Sequence, residues 1–485
     1  MSAATAALIE WPADECDDYP LALWTAAELA EAMGGAVSGA FQVSGVEIDS
    51  RDVVPGDLFF ALKGETMDGH RFLEAAFAKG ATAAVVDRKI DGPHILVDDT
   101  SRALEALAGA SRRRVSPTAS ILGVTGSVGK TSVKEAIFAA LDRSSAGRAH
   151  RSVKSYNNHV GVPLSLARMP AGCRFGVFEM GMNHAGEITA LTVQVRPHVA
   201  LVTTIAPAHI ENLGSEEAIA DAKAEIFRGL EPGGIAVIPA DGPHYARLRA
   251  AALLVRAEVV SFGRAPHADV RLLDAVPAPG GGALVTADMG DRRLCYTVAS
   301  PGEHWVVNSL AVMAAVRAAG GDLGAAGLAL AELEGMKGRG ARHAIPAING
   351  TALLIDEAYN ANPASMAATL AQLGATPATR RIAVLGAMKE LGEHGPAFHA
   401  ELAGPMIAAA VDHAILVGDE MSALADELGK LPVGALGKAI PFAHCRTVEE
   451  AVAALRAIGL TEGDAILVKG SNSVGLGRLV DAFTA

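Results

Sequence analysis

The sequence predicts an α/β protein of about three domains, and three observations carry that prediction. At 485 residues the chain is too long for one hydrophobic core, because single cores stop growing at about 250–300 residues. Half of the residues are hydrophobic but only 4% are aromatic, so Ala, Val and Leu carry the apolar content, as suits helices packed on buried parallel strands. Short apolar runs also alternate with helical patterns along most of the chain. The 52 glycines exceed an average share of about 7% and call for many tight turns or close backbone approaches, of which phosphate loops are one kind.

Taken in order, residues 1–118 form the first expected domain, with a short helix at 26–33, strands around 43–48 and 57–62, and a helix near 70–78. At Ala119 the texture changes to a buried strand (119–124) followed by a glycine-rich turn and a helix (131–141), which opens a central domain over 119–335. Its further strands are expected at 175–178, 199–204 and 235–238, and a helix at 308–319. The run Gly335-Met336-Lys337-Gly338-Arg339-Gly340 is short, glycine-rich and basic, as a linker would be. Residues 336–485 then alternate strands (352–355, 382–385, 413–417, 465–468) with helices such as 448–458, the pattern of a Rossmann-like, doubly wound parallel sheet.

Composition excludes several classes. A net charge of -13 argues against nucleic-acid binding, which needs basic surface to displace counterions. No stretch approaches the roughly 18 uninterrupted apolar residues of a spanning helix, so no membrane insertion is expected. The acidic N-terminal stretch, with Glu10, Asp14, Glu15, Asp17 and Asp18, lacks the basic start and apolar centre of a secretory signal, and a cytoplasmic protein is expected. Cys16, Cys173, Cys295 and Cys445 are far apart and form no CxxC pair, so reduced thiols are expected rather than disulfides or a structural zinc site.

The strongest chemical signal is Gly123-Val124-Thr125-Gly126-Ser127-Val128-Gly129-Lys130-Thr131-Ser132, set between an apolar strand and a helix. There, backbone amides and a helix N-terminus can surround phosphates. It is a variant of G-x-x-x-x-G-K-[ST], with Val at position 124 where the strict pattern has Gly. Lys130 is expected to neutralise the terminal phosphates of ATP and Thr131 to ligate magnesium. Glu179, at the end of the apolar run Phe175-Gly176-Val177-Phe178-Glu179, stands where a magnesium-binding acid belongs, although a carboxylate at a strand end is more often merely solvated. His209 follows the strand 199–204 on the same edge. Lys223 falls on an expected helix, where a charged residue ordinarily faces solvent.

Together, T-G-S-x-G-K-T-S, Glu179-Met180-Gly181, His209 and Lys223 resemble the Mur ligases, which couple ATP hydrolysis to amide formation. Three further segments, Ser155-Tyr156-Asn157-Asn158-His159-Val160-Gly161-Val162-Pro163, Gly181-Met182-Asn183-His184-Ala185-Gly186-Glu187-Ile188 and Asp356-Glu357-Ala358-Tyr359-Asn360-Ala361-Asn362-Pro363, are similar to the branch of that family that adds D-alanyl-D-alanine. The resemblance runs from about Val46 to Val480 and implies a small UDP-substrate domain, a central P-loop ATPase-like domain and a Rossmann-like C-terminal domain. It implies an ATP- and magnesium-dependent ligase acting on UDP-N-acetylmuramoyl-tripeptide and D-alanyl-D-alanine, with a monomer expected.

Site residues follow from the same resemblance. Thr131, Glu179, His209 and Lys223 are implied as ligands of two magnesium ions, with Lys223 carbamylated. Asn308 is implied at the adenine, or else as the cap of the following helix. Trp305 stands where the family usually has Asn and receives no role. Arg339 is implied at the γ-phosphate, the alternative being a solvated linker arginine. Asp356 or Glu357, with Tyr359 and Asn360, is implied at the ribose and adenine. Asn157, Asn158 and His159 are implied at the substrate, and Ser50 and Arg51, near Gly56-Asp57-Leu58 and Asp68-Gly69-His70, at the UDP-sugar. Ala387 replaces the acid of the family's L-G-D-M-x-E-L-G-E. Two competing readings are a folylpolyglutamate- or cyanophycin-synthetase-like ligase and a P-loop nucleotide switch; the Asn157-Asn158-His159 and Tyr359 to Pro363 segments weigh against the first, the absence of N-K-x-D against the second.

Overall fold

The computed structural model describes residues 22–64, 67–208, 210–278, 281–431 and 439–484. They fall into two compact units, residues up to Ala110 and Ser111–Ala485. In the first, β1 (Trp24–Thr25) pairs with β3 (Gln42–Val43). A second sheet takes β2 (Ala36–Val37), β4 (Gly45–Glu47), β5 (Asp57–Phe60), β6 (Ala83–Val86) and β7 (His94–Leu96) in the order β2-β7-β6-β5-β4, parallel except at β2. The helix Ala26–Met33 starts and stops where its sequence dictates. Thr25 and Glu28 satisfy each other's backbone in a capping box, and Gly34 ends the helix in the left-handed region at φ 67°.

The second unit holds two sheets. The larger is built from β8 (Ser120–Thr125), β9 (Ala149–Arg151), β10 (Phe175–Glu179), β11 (Val199–Val202), β12 (Ile235–Pro239), β13 (Glu258–Gly263), β14 (Val270–Pro277), β15 (Ala283–Asp288) and β16 (Arg293–Val298), in the order β16-β15-β14-β13-β12-β11-β8-β10-β9. Strands β9 to β14 are parallel, and β14-β15-β16 form an antiparallel meander. The meander was not expected from apolar runs. Its strands alternate, with Tyr296 and Val298 buried and Arg293 and Cys295 exposed on β16, so they carry a half-buried pattern rather than a continuous apolar one. The helices Lys130–Ser144 and Glu303–Ala318 cover one face, where Ile137, Leu310 and Val316 close over Val124 and Leu201.

The smaller sheet contains β17 (Ala341–Ala347), β18 (Gly350–Glu357), β19 (Arg381–Gly386), β20 (His413–Val417), β21 (Phe442–Cys445) and β22 (Ala465–Lys469), ordered β17-β18-β22-β19-β20-β21 and parallel except for β17. Alternate residues enter two separate cores: Ile355, Leu385, Leu416 and Leu467 on one face, Leu354, Val384, Ile415 and Val468 on the other. Burial on both faces is why these strands read as unbroken apolar runs. Among the described residues Cys173, Cys295 and Cys445 are free thiols, and no helix is long and apolar enough to cross a membrane.

The smaller sheet is clamped at its base by Asp464. Its fully buried carboxylate accepts from Arg380 Nε at 2.9 Å and from the Thr461 amide at 2.7 Å. Burial raises its pKa, but the Arg380 and Thr461 hydrogen bonds outweigh burial and hold it below the ordinary aspartate value. A carboxyl depressed on folding stabilises fully above its unfolded pKa, about 3.9, and loses that contribution as pH falls through its folded pKa. Asp464→Ala is expected to cost about 2 kcal/mol at neutral pH, the weight of the lost charge-assisted hydrogen bonds, since Arg380 keeps the Gly459 carbonyl and part of its exposure to water. The gap in Tm between wild type and variant should stay level at about pH 5–8 and narrow below about pH 4; a gap unchanged in acid would show that the charge is not what holds the clamp.

Candidate active site

Strand β8 lies between β10 and β11, with Glu179 in register with Val124 and Val202 with Thr125. The ends of all three strands therefore open at one edge, where a ligand of an α/β sheet is expected. There the chain turns sharply. Gly126 has φ 146°, and a Cβ on it would lie 2.0 Å from Thr203 Oγ1, so glycine is needed both for conformation and for space. The turn is held by Thr203 Oγ1 donating to the Val128 carbonyl at 2.6 Å, Ser127 N to the Thr204 carbonyl at 2.7 Å, and Ser127 Oγ to the Ala206 carbonyl at 2.9 Å. Gly129, at φ 84°, leads into the helix Lys130–Ser144.

Ser127 to Ser132 form one wall of a cavity of about 620 Å³. Lys130 Nζ donates back to the Gly126 carbonyl at 2.7 Å. Burial lowers its pKa, with Glu179 opposing and Arg339 reinforcing the shift. Thr131 Oγ1 donates to one oxygen of Glu179 at 2.8 Å, and Asn157 Nδ2 to the other at 2.7 Å. Glu179 is buried, so the carboxylate is aimed by these donors rather than left in water. Not every residue of the motif reaches the cavity. Gly123 and Thr125 lie within β8, where Gly123 makes room for Met180, whose Cε would be 2.5 Å from an added Cβ.

The opposite wall comes from the smaller sheet: Gly338, Arg339, Glu357, Tyr359, Asn360 and Lys469. Arg339 is not a solvated tether residue. Its Nη2 donates to Ser155 Oγ at 3.1 Å and its guanidinium stands 4.2 Å from the Tyr359 ring centroid. The expected linker is an ordered turn, with Gly338 at φ 74° and its amide on Asp356 Oδ2 at 2.6 Å. The geometry also separates the two acids. Asp356 is buried and accepts from the Gly338 and Ala358 amides, whereas Glu357 lines the cavity.

Asn308 also lines the cavity, but it is no helix cap. The helix begins at Glu303 after Gly302, which places Asn308 in its second turn, with its amide 3.2 Å from where a Cβ of Gly129 would be. Asn158 folds its Oδ1 back onto the Gly161 amide at 2.9 Å, and Asn158 and His159 are exposed away from the cavity that Asn157 reaches. His209 lies outside the described residues. Ser50 and Arg51 belong to the first compact unit, where Arg51 pairs with Asp49 at 2.6 Å.

Lys223 departs most from expectation. Its side chain is fully buried, and Nζ has no hydrogen-bond partner among the described residues. Burial, then the charge of Lys130, drives its pKa well below the ordinary lysine value, against Glu179, Glu187 and Glu225. It is therefore a buried amine whose charged form is disfavoured, an arrangement that no solvated helix face explains. Sequence reasoning missed Ser155, Trp305 and Lys469 as cavity residues. Lys469 left one legible signal, a lysine ending an apolar strand just before Gly470-Ser471.

Three family models match the chain: "Mur ligase family, catalytic domain" over residues 42–116, "Mur ligase middle domain" over 124–316 and "Mur ligase, glutamate ligase domain" over 343–472. A UDP-N-acetylmuramoyl-tripeptide--D-alanyl-D-alanine ligase of Synechocystis is 35% identical, with 93% of this chain and 94% of that protein covered. Among solved structures, MurF from Acinetobacter baumannii superposes with a TM-score of 0.81 at 29% identity, over 96% of this chain and 99% of the other. MurF from Thermotoga maritima in complex with ADP gives 0.73 at 26%, over 91% and 97%. The phosphate loop, the facing sheet and these likenesses agree: the chain belongs to the Mur ligase family.

The Gly126 turn yields a direct test. Gly126→Ala should destabilise the protein by about 2 kcal/mol through forced backbone and overpacking, and because Thr203→Ala removes the clashing oxygen along with its own hydrogen bond, the double variant should lose less Tm than the two single variants summed. Strictly additive losses would show that Thr203 is not the obstacle.

Proposed function

We propose that the chain is an ATP-dependent ligase that adds D-alanyl-D-alanine to UDP-N-acetylmuramoyl-tripeptide through an acyl phosphate, giving the UDP-muramoyl-pentapeptide of peptidoglycan synthesis. The observation that carries this reading is the single cavity with the phosphate loop on one wall and Arg339, Glu357 and Tyr359 on the other. In this reading Lys130 and Arg339, on facing walls of that cavity, are the cations that meet a terminal phosphoryl group. In this reading residues 1–118 hold the UDP-sugar through Ser50 and Arg51, residues 119–335 the triphosphate, and residues 336–485 the nucleoside. The enzyme works as a cytoplasmic monomer.

A carboxylate is a poor electrophile, so the tripeptide carboxylate first takes the γ-phosphoryl group of ATP, releasing ADP. The neutral amine of D-alanyl-D-alanine attacks the activated carbon, an amide bond forms, and phosphate leaves with the acyl oxygen. Lys130 leaves the Gly126 carbonyl for the phosphate oxygens, and Arg339 approaches them from the facing wall. Asn157 and Thr131 keep Glu179 oriented. Gly129 lets Asn308 lie against the loop without a side chain between them. Enclosure by the two walls protects the acyl phosphate from water.

Magnesium fits the residues present. Thr131 and Glu179 offer the oxygen donors it prefers. Lys223, whose charged form is disfavoured by burial, can as the free amine add carbon dioxide and lose a proton to become a carbamate, which would make an orphaned amine into a further oxygen ligand; His209 completes the ligand set of this reading. Bound there, the ions would offset the charge of ATP and the acceptor carboxylate.

Phosphate release from magnesium-ATP should require both the UDP-tripeptide and D-alanyl-D-alanine, and parallel assays with diaminopimelate- and lysine-containing tripeptides will identify the third peptide residue. Release indifferent to both substrates would instead favour a nucleotide switch. Lys130→Ala should lower ligation by about a thousandfold or more while leaving Tm unchanged, and near-normal turnover would remove Lys130 from the mechanism. Lys223→Ala should regain part of its activity with short carboxylic acids; equal recovery with chloride at matched ionic strength would count against a carbamate.

A further inference from the structure

Lys469 has no part in the chemistry above, yet it is the last residue of β22, buried to 3% exposure, and on the cavity wall. It stands in register with Glu357, the last residue of β18. Paired residues of neighbouring parallel strands project from the same face of a sheet, so the two side chains meet. Lys469 Nζ lies 3.6 Å from Glu357 Oε2 and donates to the Asn360 carbonyl at 2.9 Å. One ammonium thus joins the cavity carboxylate to the loop three residues beyond it. An ammonium has three donors, and those two partners account for most of its capacity.

Glu357 needs that partner. Its carboxyl is pushed up by burial and by Asp356 and held down by Lys469 and Arg339. Asp356 is committed to the Gly338 and Ala358 amides, whereas Glu357 keeps acceptor capacity towards the cavity. A nearly buried lysine with a single carboxylate is a costly arrangement that leucine or methionine would avoid. It makes sense where the carboxylate itself must be ionised and aimed.

We propose that Lys469 is a positioning residue for nucleotide binding: it fixes the Glu357 carboxylate and the Asn360 loop so that Glu357 accepts hydrogen bonds from a vicinal diol, that of the ribose. The proposal rests on the cavity being a nucleotide site. Held by Lys469, the carboxylate presents its acceptors without reorganising when the ligand arrives. Removal of the ammonium releases both the carboxylate and the loop, so the loss falls on diol recognition and leaves the phosphate loop across the cavity intact.

The test is calorimetric binding of magnesium-ADP and magnesium-2′,3′-dideoxy-ADP to the full-length wild type, Lys469→Met, Lys469→Arg, Glu357→Gln and the double variant Lys469→Met with Glu357→Gln. Lys469→Met should weaken ADP by about tenfold, the weight of a charged hydrogen bond, and dideoxy-ADP by clearly less. Glu357→Gln should do the same, and the double variant should lose no more than either alone, as coupled residues do. Lys469→Arg should restore most of the affinity. Equal weakening of both nucleotides by Lys469→Met, or additive losses in the double variant, overturns the proposal. Should Lys469→Met not fold, Glu357→Gln and Lys469→Arg decide it: wild-type affinity for ADP in Glu357→Gln, or no diol dependence of the Lys469→Arg affinity, overturns it equally. Wild type that binds neither nucleotide would instead strike the nucleotide site itself, a separable failure.

Discussion

The phosphate loop keeps its shape because three parallel strands end in step. Glu179 on β10 stands level with Val124 of β8, and Val202 on β11 with Thr125, so the chain leaving β8 is gripped from both sides. On one side Thr203, Thr204 and Ala206 hold its backbone and Ser127. On the other, Glu179 takes the Thr131 hydroxyl. A slip of one residue in either pairing would turn these side chains to the opposite face of the sheet. Everything in the cavity is arranged around that register: Asn157 orients Glu179, Asn308 fills the space that Gly129 leaves free, and Ser155 meets the guanidinium of the facing wall.

The electrostatics of the site are set by placement rather than by excess. A chain of net charge -13 brings Lys130, Arg339 and Lys469 to one cavity that Glu179, Asp241 and Glu357 also line, so attraction for a polyanion depends on where each cation stands and is short in range. The cations are also held apart in character. Burial disfavours the charged form of Lys223. His304, on the first turn of the Asn308 helix, is lowered to about 4 by burial and by the charge of Lys469, so it enters as a neutral ring.

Much of this was legible in the residues. The strand His413–Val417 and the helix Val448–Ile458 fall where apolar runs and turn signals put them, because a sheet buried on both faces writes itself as unbroken apolar segments. The loop from Gly126 to Ser132 was legible because only a few residue types tolerate its turn. Burial of a polar side chain was not. Lys223 in Ala222-Lys223-Ala224 looks like any lysine on a helix, and only the packing of neighbouring elements removes it from water. The β14 to β16 meander escaped for the converse reason: half-exposed strands of mixed composition resemble loops. The choice between Asp356 and Glu357 was equally beyond sequence, since it turns on which way two adjacent residues of one strand point.

The turn over Met336 to Gly340 has a mechanical side. Gly338 and Gly340 donate their amides to Asp356, which fastens Arg339 to the smaller sheet as firmly as if it grew from β18. Leu333, in contrast, is tied to Ser300 just before the Asn308 helix. Any swing of one sheet against the other must then pivot at Glu334 and Gly335, and Arg339 travels with it as a short lever, some five residues from the fulcrum. The guanidinium is thereby made to report sheet position: its distance from Ser155 measures how far the two halves have moved, and no independent motion of a loop is needed to bring it in or take it away.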